Sequence, residues 1–273
     1  VDDAGYRDRQ NALHNDAARL EPLGCRSQRR CPDSIGHLNL ATVLHVDHYE
    51  AVAADAEDFA ASIRWFPATG LIVGALVSGA AWAGAAVDDW VGALAALALW
   101  IGVTGALHLD GLADGADAAG AAHKDKARLL AVLHDPHVGS FGVVAIALQL
   151  IAKLVLLHAL VERDALLAIA LIPFAARIAP LGWARWLPPL HEGLGARFRH
   201  AVRPIDLGAW ALALVAATLF LSPSLSVLPL VALLWALWLE RRIGGVSGDG
   251  HGAGIEISET ALLIAAIVWT LFR

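Results

Sequence analysis

The sequence predicts an all-α protein, a multi-spanning transmembrane helical bundle of about seven spans that include re-entrant or broken segments. Of the 273 residues, 58% are hydrophobic and 17% are charged, whereas soluble domains are about 45–50% apolar and about 25% charged. From Pro67 onward, apolar runs approach the roughly 20 residues that are needed to cross a bilayer. Several runs have no polar face, which argues against a water-soluble bundle and for a chain embedded in a lipid bilayer.

Two segments of different composition divide the chain. Residues 1–60 are polar and arginine-rich, and they show no sustained periodicity. We expect them to be a poorly matched N-terminal segment, disordered or read from a misassigned start. Residues 61–273 are expected to form one integral membrane domain. Its candidate spans are 67–87, 90–109, 139–161, 165–186, 207–222, 225–239 and 260–272, of which the last three are short enough to tilt, break or lie partly in the interface.

The loops predict an orientation. Seven spans place residues 110–138, 187–206 and 240–259 on one side together with the N-terminus. These loops hold eight Lys and Arg residues, whereas the opposite short loops hold only Arg163. Cytoplasmic loops carry an excess of Lys and Arg, so the three long loops are expected to face the cytoplasm from the cell membrane. The net charge of −6 is not that of a nucleic-acid binder, which is usually basic, so no nucleic acid is expected as a partner.

The stretch LHLDGLADGADA, residues 107–118, is the strongest chemical signal in the chain. If the second span continues as a helix, its three aspartates share one face, because positions i, i+4 and i+7 align. Carboxylates are hard oxygen ligands that Mg²⁺ takes together with phosphate oxygens and water. The alternative interpretation is an acidic helix end exposed to water. We predict Asp110, Asp114 and Asp117 as Mg²⁺ ligands, with His108 and Gly111 beside the substrate.

A second cluster, HDPHVGSFG, occupies residues 134–142 just before the third span. Asp135 lies between two histidines, and two glycines follow. The functional interpretation makes Asp135 a further metal ligand or a general base, with His137 and Gly139 at the substrate phosphate. The alternative is a plain helix-stopping turn.

Two ionisable residues are predicted inside apolar spans. Lys153 lies in the third span, and an ionisable side chain at membrane depth indicates a functional site. The alternative is a lysine whose amine reaches the interface along its apolar stem. Arg177 in the fourth span poses the same choice, and an inward-facing arginine suits bidentate contacts to a diphosphate. We predict both as substrate-binding residues.

The third cluster is GGVSGDGHGAGIEISE, residues 244–259, which the span assignment places in a loop. It holds six glycines and three carboxylates, and the last two acids are three residues apart on one helix face. A glycine-rich backbone cradles phosphate with its N–H groups, while the carboxylates suit a second ion or the hydroxyl and amide groups of a ligand. The substrate-binding residues predicted here are Gly245, Gly248, Asp249, Glu256 and Glu259.

These clusters, in this order and between apolar spans, resemble the cobalamin synthase family, the adenosylcobinamide-GDP ribazoletransferases. The resemblance covers roughly residues 62–273, where the chain departs from the family pattern at Ala118, His134 and His251. It makes residues 61–273 a catalytic domain. The stretches that carry it are RWFPATGLIVGAL at 64–76, LHLDGLADGADA at 107–118, HDPHVGSFG at 134–142, HEGLGARF at 191–198 and GGVSGDGHGAGIEISE at 244–259.

The resemblance implies a magnesium-dependent enzyme of late cobalamin biosynthesis in the cytoplasmic membrane. It would join adenosylcobinamide-GDP to α-ribazole, or to its 5′-phosphate, giving adenosylcobalamin or its 5′-phosphate and releasing GMP. Mg²⁺ would neutralise the diphosphate and its leaving group, and Asp117 or Asp135 would accept the hydroxyl proton. A homo-oligomer, or association with other cobamide-assembly enzymes, is left open.

Two alternatives remain open at this point. Phosphotransferases of the CDP-alcohol type also use several aspartates at helical spacing, but they carry an alanine–arginine pair where Ala118 and Ala119 stand. A small membrane transporter would place charges near the midplane, as Lys153 and Arg177 are predicted to lie. Its acidic clusters, however, would not be expected together in loops on one side.

Overall fold

The computed structural model describes residues 60–121, 132, 137–190 and 194–272. These ranges are built from helices and short connections, without a β-strand, so the all-α prediction is confirmed. The predicted residues His134 and Asp135, and the segment 1–59, lie outside the described residues. The helices are α1 (Phe66–Ala85), α2 (Asp89–Thr104), α3 (Leu107–Ala121), α4 (Ser140–Val161), α5 (Leu166–Ala176), α6 (Ala179–Trp186), α7 (Leu194–Ala201), α8 (Pro204–Phe220), α9 (Leu228–Trp238) and α10 (Gly248–Thr270).

Membrane-spanning helices dominate the described chain. Five helical runs are long and apolar enough to cross a membrane, α2 and α3 together make a sixth, strongly bent candidate, and α8 is a shorter apolar helix. The seven predicted runs map onto these seven segments. The prediction of a multi-spanning bundle is therefore confirmed. The five long runs are Ser62–Ala85, Ser140–Val161, Leu166–Trp186, Pro223–Ile243 and Gly248–Thr270.

The second span does not continue as one straight helix through the aspartate stretch. It ends at Thr104, and α3 leaves it at an angle of 83°. Gly105 (φ 60°) and Ala106 (φ 57°) both adopt left-handed backbone, the conformation with which glycine commonly ends a helix. The Ala106 N–H donates to the Ile101 carbonyl oxygen at 3.1 Å, which closes the end of α2. The aspartates consequently lie on a separate helix that begins at Leu107.

The glycine-rich segment is mostly helical, and its prediction as a loop is wrong. Ser247 caps α10 by accepting a hydrogen bond from the Gly250 N–H at 3.1 Å, and the helix then continues without interruption to Thr270. A serine at the N-cap favours a helix start at this point, and burial of the packed face offsets the low helix propensity of the glycines that follow. Glu256 and Glu259 are thus carried into the bundle.

The fourth span is interrupted near its middle. Helix α5 stops at Ala176, and α6 starts at Ala179 after a gap of two residues. Pro180 has no N–H to donate to the carbonyl four residues earlier, so the helical ladder cannot continue through this point. Arg177 occupies the break, and its Nη1 donates to the Pro173 carbonyl oxygen at 3.0 Å. The interruption therefore places the Arg177 guanidinium inside the bundle, where a backbone carbonyl oxygen accepts a hydrogen bond from it.

Close helix packing relies on small residues. Helix α1 meets α5 at Gly70 and Gly74, where a Cβ would overlap the carbonyl oxygens of Pro173 and Ala170, respectively. Glycines four residues apart allow membrane helices to approach at the backbone. This contact fixes the fourth span, and therefore the break at Arg177, against the first span.

Several connections gather at one end of the bundle. The Arg64 Nε donates to the Ala201 carbonyl oxygen at 2.7 Å, which places the start of α1 beside α7. The Val246 N–H donates to the Pro188 oxygen at 2.9 Å, and the Leu190 N–H to the Val246 oxygen at 3.0 Å. The end of α6 therefore lies beside the start of α10. Together with α3, these segments form what we call the acidic end.

Candidate active site

The first and third sequence clusters meet where α3 crosses α10. A Cβ on Gly111 would lie 2.8 Å from the Asp249 carbonyl oxygen, and one on Gly252 would lie 3.3 Å from the Cα of His108. The two helices are therefore in backbone contact at the acidic end. Although Asp110 and Asp249 are 139 positions apart in the sequence, the crossing brings the aspartate stretch and the first turn of α10 together.

Three carboxylates form the acidic face, which we define as Asp110, Asp114 and Asp249. Asp110 is exposed, and the other two are half-buried. The negative charges of Asp110, Asp249 and also Asp117 all act on the Asp114 carboxyl. Like charges at this density repel one another, and a cation near them would relieve the repulsion.

Asp117 has a different environment from Asp110 and Asp114. Its Oδ2 accepts a hydrogen bond from the Gly139 N–H at 2.7 Å, and its Oδ1 accepts one from the Gly142 N–H at 3.0 Å. Both carboxylate oxygens thus face the amino end of α4. This side chain hydrogen-bonds the described part of the second sequence cluster to α3.

The donors at the acidic face fit Mg²⁺ in their chemistry. In the described ranges, no group of three or more His, Cys, Asp or Glu side chains is already arranged to hold a metal ion. Magnesium, however, usually takes only one or two carboxylates and completes its shell with water and substrate phosphate oxygens. Asp110 and Asp114, four residues apart on one helix with water access, supply such a pair. The residues present suit an open site that a phosphate substrate would complete.

A second charged region lies inside the bundle and joins α4 and α10 with the α5–α6 break. The Lys153 Nζ lies 2.7 Å from Glu256 Oε2 and 2.6 Å from Glu259 Oε2. The Arg177 Nη1 lies 3.0 Å from Glu259 Oε1. The four side chains are at most 5% exposed, and their formal charges sum to zero. We call these four residues the buried quartet.

Sequence reasoning missed three neighbours of the quartet. The Gln149 Nε2 donates to Glu256 Oε2 at 2.7 Å, and the Gln149 amide also exchanges hydrogen bonds with the Thr260 hydroxyl. Trp100 places its ring 4.5 Å from the Lys153 Nζ, a distance at which the ring attracts a cation. A usable signal existed, because Gln149 precedes Lys153 by one helical turn and Thr260 follows Glu256 by one turn.

His108 lies between the two charged regions. Its Nδ1 is buried and has no hydrogen-bond partner in the described part of the chain. Arg177, Glu256 and Lys153 of the quartet are the charges that act on it, whereas Asp110 follows two residues later on the same helix. His108 therefore adjoins the quartet on one side and the acidic face on the other.

The remaining predicted residues lie around the acidic end. Gly245 is buried, and a Cβ there would come 2.7 Å from the Pro188 carbonyl oxygen, whereas Gly248 is exposed with open space beside it. His137 is exposed two residues before Gly139. His251, one of the departures from the family pattern, is 4% exposed and lies about 6 Å from the rings of Trp183 and Phe198. The functional roles predicted for Gly245, Gly248 and His137 stay predictions.

The fold and the site define a multi-pass helical membrane protein that presents several carboxylates at one end of its bundle. The sequence model of the family described as cobalamin-5-phosphate synthase matches residues 33–267. The chain belongs to this family. The match begins inside the polar N-terminal segment, ahead of residues 62–273, which carry the resemblance.

Relatives with related sequences carry one name. A protein of Novosphingobium aromaticivorans named adenosylcobinamide-GDP ribazoletransferase is 63% identical over 221 residues, which cover 81% of this chain and 89% of the relative. Proteins of the same name from Thiobacillus denitrificans and Laribacter hongkongensis are 51% and 49% identical, covering 78% and 77% of this chain and 86% and 87% of the relatives. No solved structure matches the chain.

Proposed function

We propose that this chain is an adenosylcobinamide-GDP ribazoletransferase that acts late in cobalamin biosynthesis. It joins adenosylcobinamide-GDP to α-ribazole, or to its 5′-phosphate, and releases GMP. Family membership and the shared name of relatives that the chain covers almost fully support the reaction. The observation that carries the site is the acidic face at the crossing of α3 and α10.

The residues of this face suit transfer at a diphosphate. Asp110 and Asp114 would hold Mg²⁺, which supplies positive charge against the diphosphate and the departing GMP. Asp249 adds a third carboxylate at the start of α10, beside N–H groups of the first helical turn that favour bound anions. The hydroxyl of α-ribazole attacks phosphorus, the bond to GMP breaks, and a carboxylate accepts the hydroxyl proton. Of the two acids predicted for this proton, Asp117 already accepts two N–H groups, and Asp135 lies outside the described residues.

The reaction is tested by measuring GMP release from adenosylcobinamide-GDP by the purified chain in lipid vesicles. Asp110→Asn and Asp114→Asn should each lower the rate by at least about a thousandfold, because metal-bound charge stabilises the transition state by several kcal/mol. Glu162→Gln is the matched control, since this exposed acid follows the far end of α4. Wild-type rates in either aspartate variant would refute the metal assignment. Release of CMP from a CDP-alcohol, with none of GMP, would refute the substrate.

We also propose that the protein resides in the cell membrane with the acidic end facing the cytoplasm. The excess of Lys and Arg in the long loops supports this orientation, and so does the need to meet a nucleotide substrate. In a background without Cys25 and Cys31, a cysteine at Gly248 should be labelled only from the cytoplasmic side. One at Glu162 should be labelled only from outside. The opposite pattern would invert the topology, whereas oligomerisation and association with other cobamide-assembly enzymes stay predictions.

A further inference from the structure

The amino end of α4 has no side chain of its own that caps it. Its N-cap residue is Gly139, and no side chain of the helix accepts its first N–H groups. Asp117, from the neighbouring helix α3, accepts two of them, the N–H of Gly139 and the N–H of Gly142. Unsatisfied N–H groups and the positive end of the helix dipole both favour a carboxylate at this position.

The glycine at position 139 is explained by this contact and not by its backbone conformation. Its φ of −83° and ψ of 177° are accessible to every residue type. A Cβ added there would overlap the Asp117 carboxylate, and the three nearest atoms that it would meet all belong to Asp117. Gly142 is also close to Asp117, although Val138 and Ala113 crowd that position as well. The sequence around Gly139 thus accommodates a side chain that comes from α3.

Asp110 and Asp114 differ from Asp117 in this respect, although all three lie on α3. Neither accepts a hydrogen bond or forms an ion pair within the described ranges, and Asp110 is exposed to solvent. The three aspartates therefore divide into two that are available to a ligand and one that already binds the protein backbone.

We propose that Asp117 is a positioning residue that caps α4 and holds its first turn against α3, leaving metal binding to Asp110 and Asp114. This assignment rests on the reaction proposed above. In that reaction, the cap holds the start of α4 at the acidic end. His137, two residues before Gly139, is carried to that end by the same contact.

A double-mutant cycle between Asp117 and Gly139 tests the cap by thermal unfolding of the full chain in lipid nanodiscs. Asp117→Ala should lower the unfolding midpoint by roughly 2–6 °C, as expected for the loss of a helix cap. Gly139→Ala should lower it similarly in the wild-type background, because the new methyl group displaces the carboxylate. The Asp117→Ala variant lacks the three atoms nearest to the new methyl group, so Gly139→Ala should then cost much less. Gly208→Ala, which places a methyl group in open space, is the matched control.

Binding of Mn²⁺ as a probe for Mg²⁺, followed by electron paramagnetic resonance, separates the aspartates. Asp110→Asn and Asp114→Asn should weaken Mn²⁺ binding more than about tenfold. Asp117→Asn, which keeps one acceptor oxygen, should change it less than about threefold. Equal losses of Mn²⁺ affinity in all three variants, or equal costs of Gly139→Ala in both backgrounds, would overturn the proposal. If the wild-type protein released no GMP, the proposed reaction would fail, but the unfolding cycle would still decide the cap.

Discussion

Two charged regions occur along α10, and they differ in how their charge is balanced. At the first turn, Asp249 joins two aspartates of α3, and neither Asp110 nor Asp114 pairs with a cation in the described ranges. Two turns further along, Glu256 and Glu259 meet Lys153 and Arg177 at 2.6–3.0 Å. Within the described ranges, the charges of Asp110 and Asp114 are unbalanced and Asp110 is exposed, whereas the buried quartet is neutral and enclosed.

The difference indicates what each region does. Taking a charge out of water is expensive, and a buried ion persists only when partners compensate it. The quartet meets this condition and ties the third, fourth and last spans together. Carboxylates that repel one another at the surface contribute no such stability, and their presence fits the Mg²⁺ site proposed above. The two regions should therefore respond to substitution with opposite signs of stability change.

The largest effect is expected from removing a cation of the quartet. Lys153→Met leaves Glu256 and Glu259 with only Arg177, and breaking a buried ion pair costs about 3–5 kcal/mol. The double variant Lys153→Met/Glu256→Gln restores neutrality and should be more stable than the single variant. Thermal unfolding in nanodiscs measures both.

Arg163→Met is the control for this prediction. Arg163 pairs with Glu162 at 3.4 Å, but their side chains are 34% and 58% exposed, so the loss should stay below about 1 kcal/mol. Equal destabilisation by Lys153→Met and Arg163→Met would show that the buried quartet contributes no more to stability than an exposed ion pair.

A smaller effect is expected at the crossing that builds the acidic face. Gly111→Ala places a methyl group 2.8 Å from the Asp249 carbonyl oxygen, so α3 and α10 must separate. Overpacking of this kind costs about 1–3 kcal/mol, and GMP release should fall because Asp249 moves away from Asp114. Gly208→Ala should be neutral or stabilising, since alanine is favoured over glycine inside a helix by about 1 kcal/mol. Unchanged stability and turnover in Gly111→Ala would show that the close crossing of α3 and α10 is not needed to position the acidic face.

The smallest effect is expected from removing repulsion at the acidic face. Asp114→Asn removes one of the mutually repelling charges, and unfolding should become harder by at most about 1 kcal/mol, because solvent screens the interaction. The same variant should lose activity, as active-site residues often trade stability for function. A clear loss of stability in Asp114→Asn would mean that this carboxylate has a structural partner, and the contrast with the quartet would disappear.

The local sequence pattern was sufficient to predict the membrane spans and the spacing of the acidic residues along their helices. The apolar runs could be predicted because each span must satisfy its own backbone in lipid, and that requirement is written into consecutive residues. The placement of Asp110, Asp114 and Asp117 on one helix could also be predicted, because positions i, i+4 and i+7 align along a helix. The spacing of Glu256 and Glu259, three residues apart, also predicted that they lie on the same face of a helix.

Only the tertiary structure decided which of these groups meet. Lys153 and Glu259 are 106 residues apart in sequence, and nothing local distinguishes a lysine that reaches the interface from one that neutralises two glutamates. Asp117 looks equivalent to Asp110 until α4 places Gly139 beside it. The continuous helix from Gly248 likewise reflects packing that overrides the low helix propensity of its glycines. The sequence by itself determined the membrane helices and the inventory of charges, whereas the packing of distant helices decided which charges are balanced, because charge balance depends on distances between residues far apart in the chain.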